Sequence, residues 1–369
     1  MTYDPMQPHR AFATGPAARP VAVELPPVAP WSGGSERFIA APDNPWVTRA
    51  EASGFSETPG FAETREWLER LAAAWPDLTI GTLGKTAGGR EIPLVIASRH
   101  GVTPDAVRRS GKAVIYVQAG IHSGEVDGKD AMLMLLRDMA FGNLSHLLDE
   151  AVILFTPVLN RDGYDRQGAF NRVNMRGPTV TGWHTNDWNL NLNRDFAKLD
   201  APETRAVIRL FREWQPDLFI DTHVTDGADY QYDVTFGQTS GPHGWSPRIA
   251  EWIETVLTPQ ANADLAREGH VPGPLTLAAN GRDMSEGRLI FTANARFSTG
   301  GADLHHVPSI LVENHSLKTV RQRVLGMYVL LQSLITHCAR RVGELRAAIS
   351  ADRESRRAEI PLGWTVAPG

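Results

Sequence analysis

The sequence has a single cysteine and no long apolar segment. Cys338 alone cannot close an intramolecular disulfide, and it excludes a cysteine-rich zinc module. Nowhere do eighteen apolar residues follow one another, and residues 1–20 lack the apolar core of a signal peptide. We therefore expect a cytoplasmic protein with no membrane partner, in which histidines and carboxylates hold any bound metal.

The sequence also lacks a basic block. Its 37 Lys and Arg residues against 42 Asp and Glu residues give a formal net charge of −5. Because clustered positive charge supplies most of the affinity for nucleic acids, we expect no nucleic-acid partner. Hydrophobic residues at 42% and charged residues at 21% are ordinary globular proportions, so the chain can bury a core.

Proline is concentrated at the start of the chain. Nine prolines within the first 45 residues prevent helix interiors and central strands there. From residue 61 onward, apolar residues follow a helical spacing that ends before Pro76. We therefore predict an N-terminal arm over residues 1–45, one folded domain over 46–350 and a C-terminal tail over 351–369.

Strand-like and helical patterns alternate over the rest of the chain. Short runs rich in Val, Ile, Leu and Phe predict strands at residues 78–83, 92–98, 113–120, 151–158, 217–224, 287–293 and 308–313. Helical stretches lie between them, near residues 124–140, 202–214, 246–267 and 317–349. This alternation predicts an α/β fold, a three-layer helix/sheet/helix sandwich. The aperiodic stretch 160–200 predicts a long functional loop.

Two predicted strands end in potential metal ligands. His122 and Glu125 follow the strand at 113–120, and His223 closes the strand at 217–224. Open α/β sheets bind ligands beyond the carboxyl ends of their strands, so these side chains are candidates for one site. The His-x-x-Glu spacing is common by chance, but the third residue strengthens it. Two imidazoles and one carboxylate with an open position form a catalytic rather than a structural zinc site.

One carboxylate interrupts a predicted apolar strand. Glu313 follows Ile310, Leu311 and Val312, where a buried and unpaired charge is costly. Two interpretations remain open from the residues alone. Glu313 either forms an ion pair with an arginine such as Arg296, or it faces a polar cavity as a general base that takes a proton from the attacking water.

Seven motifs occur in a fixed order between about residues 61 and 324. They read GKTAGGREIPLVIAS, AGIHSGEVDGKDA, LNRDGYD, RVNMRG, NLNRDF, DTHVTDG and LVENHSLK. In this order they resemble the zinc carboxypeptidase family typified by carboxypeptidase A. The resemblance implies a mixed, mostly parallel sheet and one zinc ion per chain. It also implies His122, Glu125 and His223 as zinc ligands, with Glu313 as the general base.

The resemblance further implies which residues contact a substrate. Asn193 and Arg194 match the pair that holds the substrate's terminal carboxylate, and a guanidinium is suited to bind a carboxylate through two donors. Arg172 matches the arginine that polarises the scissile carbonyl. On spacing alone, any arginine of this segment is a candidate, namely Arg161, Arg166, Arg172 or Arg176.

Two positions depart from the family pattern. Asn191 stands where family members carry an aspartate that orients the first histidine ligand, so we expect weaker polarisation of that ligand rather than loss of metal. The stretch from 287 to 313 contains no tyrosine, although the family uses a mobile tyrosine between its last two strands. This absence puts the usual phenolic hydrogen bond to the substrate in doubt.

The leading functional hypothesis is a zinc metallocarboxypeptidase that removes the last residue of a peptide with a free C-terminal carboxylate. One alternative is a zinc-dependent amidohydrolase acting on N-acyl amino acids, because such deacylases also bind a carboxylate through an Asn-Arg pair. Another is a zinc-binding pseudoenzyme that binds peptides without cleaving them. The retention of Glu313 argues against a pseudoenzyme, whereas the missing tyrosine favours it.

Overall fold

A mixed sheet of eight strands forms the centre of the structure, a computed structural model that describes residues 25–240, 244–280 and 283–355. In spatial order the strands are β1 (Leu78–Lys85), β2 (Glu91–Ala97), β4 (Ala151–Thr156), β3 (Ala113–Gln118), β5 (Leu218–Val224), β10 (Ser309–Asn314), β6 (Val234–Gly237) and β7 (Pro272–Pro274). Strands β4, β3, β5 and β10 pair in parallel, while β1, β2 and β6 make the antiparallel pairs. The predicted mixed, mostly parallel sheet is confirmed.

The central strands are buried on both faces. All six residues of β3 are buried, with Ile115 and Val117 in one apolar cluster and Tyr116 in the other. A parallel strand covered by helices on both sides carries apolar residues continuously instead of alternating them with polar ones. This is why continuous apolar runs are sufficient to predict these strands.

Helices cover both faces of the sheet and complete the predicted three layers. The described helices are α1 (Arg49–Ala52), α2 (Phe61–Ala74), α3 (Pro104–Ser110), α4 (Asp127–Phe141), α5 (Leu147–Glu150), α6 (Arg161–Asp165), α7 (Pro202–Trp214), α8 (Pro247–Trp252), α9 (Thr258–Arg267), α10 (Ser298–Leu304), α11 (Val320–Arg340) and α12 (Val342–Glu354). Residues of α4, α9 and α11 pack on one face, and residues of α7 pack on the other. Within the described ranges, none of these helices combines the length and apolar character needed to cross a bilayer.

Three predictions about elements need correction. The run 287–293 is not a buried strand: β9 (Arg288–Ile290) pairs with β8 (Thr276–Ala278) in a separate ribbon, where Ile290 is 76% exposed. Strands β6 and β7 escape prediction because they are short and β7 contains two prolines. The helix predicted over 317–349 is two helices, α11 and α12, separated at Arg341.

Both chain ends are predicted to lie outside the folded domain. Of the predicted arm, residues 1–24 lie outside the described residues, whereas Trp31 donates a hydrogen bond to the carbonyl of Gly269 and stacks on His270. At the other end α12 continues to Glu354, so the first residues of the predicted tail are helical; residues 356–369 lie outside the described residues. The domain boundaries stay predictions.

Close packing at two glycines brings the ends of β3 and β5 together. After β3 the chain turns at Gly120, where φ is 63° and a side-chain Cβ would lie 3.1 Å from Val158 Cα, so any other residue would be strained and crowded there. At the start of α4, a Cβ on Gly128 would lie 2.0 Å from Thr222 Oγ1 of β5. These contacts allow the segment between β3 and α4 to lie directly over the end of β5.

Candidate metal centre and active site

Three predicted ligands meet at the carboxyl ends of β3 and β5. One ligand atom each from His122, Glu125 and His223 lies within 4.8 Å of the others, and all three residues are buried. The Nδ1 atoms of the two histidines lie 3.0 and 2.9 Å from the two carboxylate oxygens of Glu125. The two imidazoles and the carboxylate therefore converge on one point.

Each histidine is oriented through its other ring nitrogen. His122 Nε2 lies 3.1 Å from Asn191 Oδ1, and His223 Nε2 lies 2.9 Å from Asp221 Oδ2. Because both partners are oxygen acceptors, each Nε2 acts as the donor and each Nδ1 is left as a ligand atom. Asn191 thus occupies the predicted orienting position, with a neutral oxygen in place of a carboxylate.

The electrostatics suit a cation at this point. Burial opposes ionisation of Glu125, yet His122 and Arg172 hold its pKa well below the usual range. The pKa of His223 is raised, since its contact with Asp221 outweighs burial. Two imidazole nitrogens and an ionised carboxylate are the donor set that zinc prefers at catalytic sites. The residues present therefore fit a zinc ion.

Glu313 lies beside the ligands without a partner of its own. In the parallel register of β10 and β5 it is directly opposite His223, so both side chains leave the same face of the sheet. Its Oε2 is buried and accepts no hydrogen bond, and no described residue, Arg296 included, forms an ion pair with Glu313. The pKa of Glu313 is raised to about 8, chiefly by burial; the charges of Glu125 and Asp226 contribute to this rise, whereas His223 and Arg172 oppose it. Within the part of the chain that the structure describes, the interpretation that Glu313 forms an ion pair with an arginine such as Arg296 is therefore wrong.

Arg172 is the arginine of its segment that reaches the cluster. Its Nη1 lies 2.9 Å from Glu125 Oε1, and its Nη2 donates to the carbonyl of Val224 at 3.2 Å. Its Nε is buried without a hydrogen-bond partner, so one donor stays available. Of the other candidates, Arg161 pairs with Asp165 and Arg176 donates to the carbonyl of Leu317.

Asn193 and Arg194 lie in a short 3-10 turn, Leu192–Arg194, next to the ligands. Asn193 Nδ2 is 3.4 Å from His223 Nε2, and its Oδ1 accepts a hydrogen bond from the backbone N–H of Ser298. The Arg194 guanidinium carbon lies 4.2 Å from the ring centroid of Phe297. Burial and the charge of Arg296 lower the pKa of Arg194.

Sequence reasoning missed two residues that support the site. His184 stacks on His122 at 3.8 Å between ring centroids and accepts a hydrogen bond from the Asn191 amide at 3.1 Å. Burial and the charge of His122 lower the pKa of His184 to about 4, which keeps it a neutral acceptor. Its place in the aperiodic stretch before Asn191 was the available clue.

The second missed residue is Arg323 of α11, which is completely buried. It pairs with Asp127 at 2.8 Å and donates to the backbone carbonyls of Ser316, Arg176 and Gly177. Asp127 begins α4 just after Glu125, and the carbonyl acceptors belong to the segments that follow Glu313 and Arg172. Arg323 therefore holds together three segments that carry site residues; an arginine within an apolar helix was the clue.

Two tyrosines, Tyr230 and Tyr232, follow the segment that carries His223. The Tyr230 hydroxyl is buried without a hydrogen-bond partner, and burial raises its pKa to about 12. The guanidinium of Arg288 lies 5.3 Å from the ring centroid of Tyr230 and 5.1 Å from that of Tyr232. The ribbon of β8 and β9 therefore contacts both rings through Arg288.

A helix/sheet/helix sandwich with a His-Glu-His cluster at its strand ends defines an α/β protein with a candidate catalytic metal site. The family model for zinc carboxypeptidases matches residues 64–251, about half of the chain. The chain therefore belongs to the zinc carboxypeptidase family.

Curated relatives are similar over part of their length. "Carboxypeptidase 2" of Trichophyton rubrum is 28% identical over 200 residues, which are 53% of this chain and 32% of that protein. The "Inactive metallocarboxypeptidase ecm14" of Schizosaccharomyces pombe is 27% identical over 208 residues, 48% of this chain and 42% of that protein. The chain thus spans about a third of the length of the Trichophyton relative.

Solved structures share the fold. Carboxypeptidase A of Helicoverpa armigera superposes with a TM-score of 0.55 at 17% identity, covering 81% of this chain and 76% of that one. A metallo-carboxypeptidase of Pseudomonas aeruginosa, solved with (2-guanidinoethylmercapto)succinic acid, gives a TM-score of 0.51 at 20% identity, covering 76% and 70%. At these identities the likeness concerns the fold.

Proposed function

We propose that the protein is a zinc-dependent carboxypeptidase that hydrolyses the last peptide bond of a peptide. The observation that carries the proposal is the unpartnered Oε2 of Glu313 beside the convergent ligand atoms of His122, Glu125 and His223. A buried carboxylate without a partner is costly, and a role as proton acceptor explains its position.

His122, Glu125 and His223 would hold the metal. When bound, zinc supplies Lewis acidity to the scissile carbonyl and lowers the pKa of water. Asn191 and Asp221 keep the two histidine rings in the ligand orientation by accepting from their Nε2–H groups. Asp221 is itself fixed, since Gln118 and Ser298 donate hydrogen bonds to it.

Arg194 and Asn193 bind the substrate's terminal carboxylate in this proposal. The Arg194 guanidinium donates one hydrogen bond to the carbonyl of Asn193 at 2.7 Å and has further donors for a ligand. No carboxylate among the described residues lies within ion-pair distance of Arg194, so its charge is available. A guanidinium with free donors binds a carboxylate bidentately.

Glu313 acts as the general base and then as the general acid in this proposal. Its Oε2 accepts a proton as a water oxygen attacks the carbonyl carbon, and the same proton passes to the leaving nitrogen as the C–N bond breaks. Arg172 has an unsatisfied Nε–H that can donate to the carbonyl oxygen as negative charge develops there. The products are a shortened peptide and a free amino acid.

The inactive relative from Schizosaccharomyces pombe favours one rival, a peptide-binding pseudoenzyme. The two hypotheses make different demands on Glu313. An enzyme requires a base at this position, whereas a binding module does not.

The decisive experiment uses paired peptides that differ only in a free or amidated C-terminus. Amidation removes the charge and one acceptor oxygen, so we expect kcat/KM to fall by about 30- to 1000-fold. Products of the zinc-loaded protein are identified by mass, and a chelator-treated sample is the control for metal dependence.

The other outcomes distinguish the rivals. Internal cleavage of both peptides alike contradicts the proposed binding of the terminal carboxylate by Asn193 and Arg194. Hydrolysis confined to short N-acyl amino acids indicates the deacylase, and tight peptide binding without any product indicates the pseudoenzyme.

A further inference from the structure

Two guanidinium groups approach one aromatic ring at the substrate-binding side of the site. The guanidinium carbons of Arg194 and Arg296 lie 4.2 and 5.1 Å from the ring centroid of Phe297. The two groups therefore lie within about 9 Å of each other. A single ligand with two carboxylates can span that separation.

Neither of these charges is neutralised by an ion pair. Over the described ranges, no carboxylate lies within ion-pair distance of Arg194 or Arg296, although the protein has a formal net charge of −5. Asp226 and Glu313 act on Arg194 only from a longer range, and repulsion from Arg296 adds to burial in lowering its pKa. The pair is thus a local concentration of positive charge in an acidic protein.

Hydrogen bonds from backbone N–H groups hold the segment of Arg296 beside Asn193 and Arg194. The N–H of Phe196 donates to the carbonyl of Arg296 at 3.1 Å, and the N–H of Ser298 donates to Asn193 Oδ1 at 2.8 Å. These bonds connect the segment of Arg296 to both sides of Arg194. The juxtaposition is therefore a product of the fold at this point and not of two independent surface side chains.

We propose that Arg296 binds the side-chain carboxylate of a C-terminal glutamate or aspartate whose main-chain carboxylate is bound by Arg194. The substrates are then peptides that end in an acidic residue. This inference rests on the proposed carboxypeptidase function and adds the substrate class to it. A dicarboxylic residue satisfies both guanidinium groups, whereas a neutral residue satisfies only Arg194.

The test compares four peptides that differ only in the last residue, which is Glu, Gln, Leu or Lys. Glutamine has the shape of glutamate without its charge, so the Glu/Gln ratio of kcat/KM isolates the charge. We expect a ratio of about 10 or more, because hydrogen bonds to charged groups reach this size and the exposure of Arg296 keeps it at the lower end.

Variants at Arg296 complete the test. Arg296→Gln is expected to bring the Glu/Gln ratio close to 1, and Arg296→Glu to favour the peptide ending in Lys over that ending in Gln. Arg108→Gln is the matched control. Arg108 is an exposed arginine of α3, which leads into the amino end of β3, whereas the candidate site lies at the carboxyl ends of the strands. The control variant is expected to keep the parent ratio.

The outcomes separate this inference from the function on which it rests. Equal cleavage of all four peptides, or a preference for Glu that persists in Arg296→Gln, overturns the inference and leaves the carboxypeptidase standing. If no peptide is cleaved, the proposed function fails, and calorimetry on the zinc-loaded Glu313→Gln variant decides the inference. Tighter binding of the Glu peptide than of the Gln peptide supports it, and equal affinity overturns it.

Discussion

Replacing Glu313 with glutamine tests whether this side chain is buried without an ionic partner, as its proposed role as a base requires. Burial raises its pKa to about 8 from an ordinary value of 4.5, so between these pH values the folded state keeps a proton that the unfolded state releases. Stability of the metal-free protein therefore falls as the pH rises from 4.5 towards 8. At about 1.4 kcal/mol per pKa unit the full shift is worth about 5 kcal/mol, and partial solvent access reduces our expectation to about 2–4 kcal/mol.

The glutamine variant is neutral in both states and does not have this penalty. Urea denaturation of the chelator-treated proteins is expected to show Glu313→Gln more stable than the parent by about 2–4 kcal/mol at pH 8, and nearly equal to it at pH 4.5. Glu66→Gln, at an exposed position on α2, is the matched control. Glu313→Gln loaded with zinc should keep its metal and lose at least about a hundredfold in turnover, whereas Glu66→Gln should match the parent. The reasoning would be refuted if the difference in free energy of unfolding between Glu313→Gln and the parent were the same at both pH values. Near-normal turnover of Glu313→Gln would refute it as well.

Three further substitutions test the metal centre and its support. His223→Ala should lose its zinc by metal analysis, and near-stoichiometric metal in that variant would exclude His223 as a ligand. Asn191→Asp gives His122 a charged acceptor and should tighten zinc binding by about 10-fold or more in competition with a chelator; unchanged affinity would contradict the orienting role. Arg323→Met leaves Asp127 buried with a hydrogen bond from Asn314 but without its ionic partner, so the free energy of unfolding in urea should fall by roughly 3–5 kcal/mol, and a loss below about 1 kcal/mol would be inconsistent with that pair.

Local chemistry made much of the candidate site predictable. His122 and Glu125 are three residues apart in one segment after a buried strand, and His223 ends another such strand. Parallel strands bring their carboxyl ends to one edge of the sheet, so the meeting of these residues follows from the strand pattern. The cost of an unpaired carboxylate among apolar residues likewise marked Glu313.

Positions that depend on contacts between distant segments were not predictable. The sequence offers only a weak clue to His184 and Arg323 and does not identify their partners, because those partners are distant in the chain or belong to an irregular loop. The choice of Arg172 over its neighbours required a family resemblance, and its contact with Glu125 became visible only in the fold.

By itself, the sequence determined the layered α/β architecture and the side chains of the candidate metal site, because apolar periodicity and strand-end polarity are local properties. Only the tertiary structure decided which short segments join the sheet, since β6 and β7 acquire their strand character from pairing at its edge. It also decided that Glu313 has no ionic partner and that Arg194 and Arg296 share one aromatic ring. Such relations depend on side chains brought together by long-range packing, which no local pattern encodes.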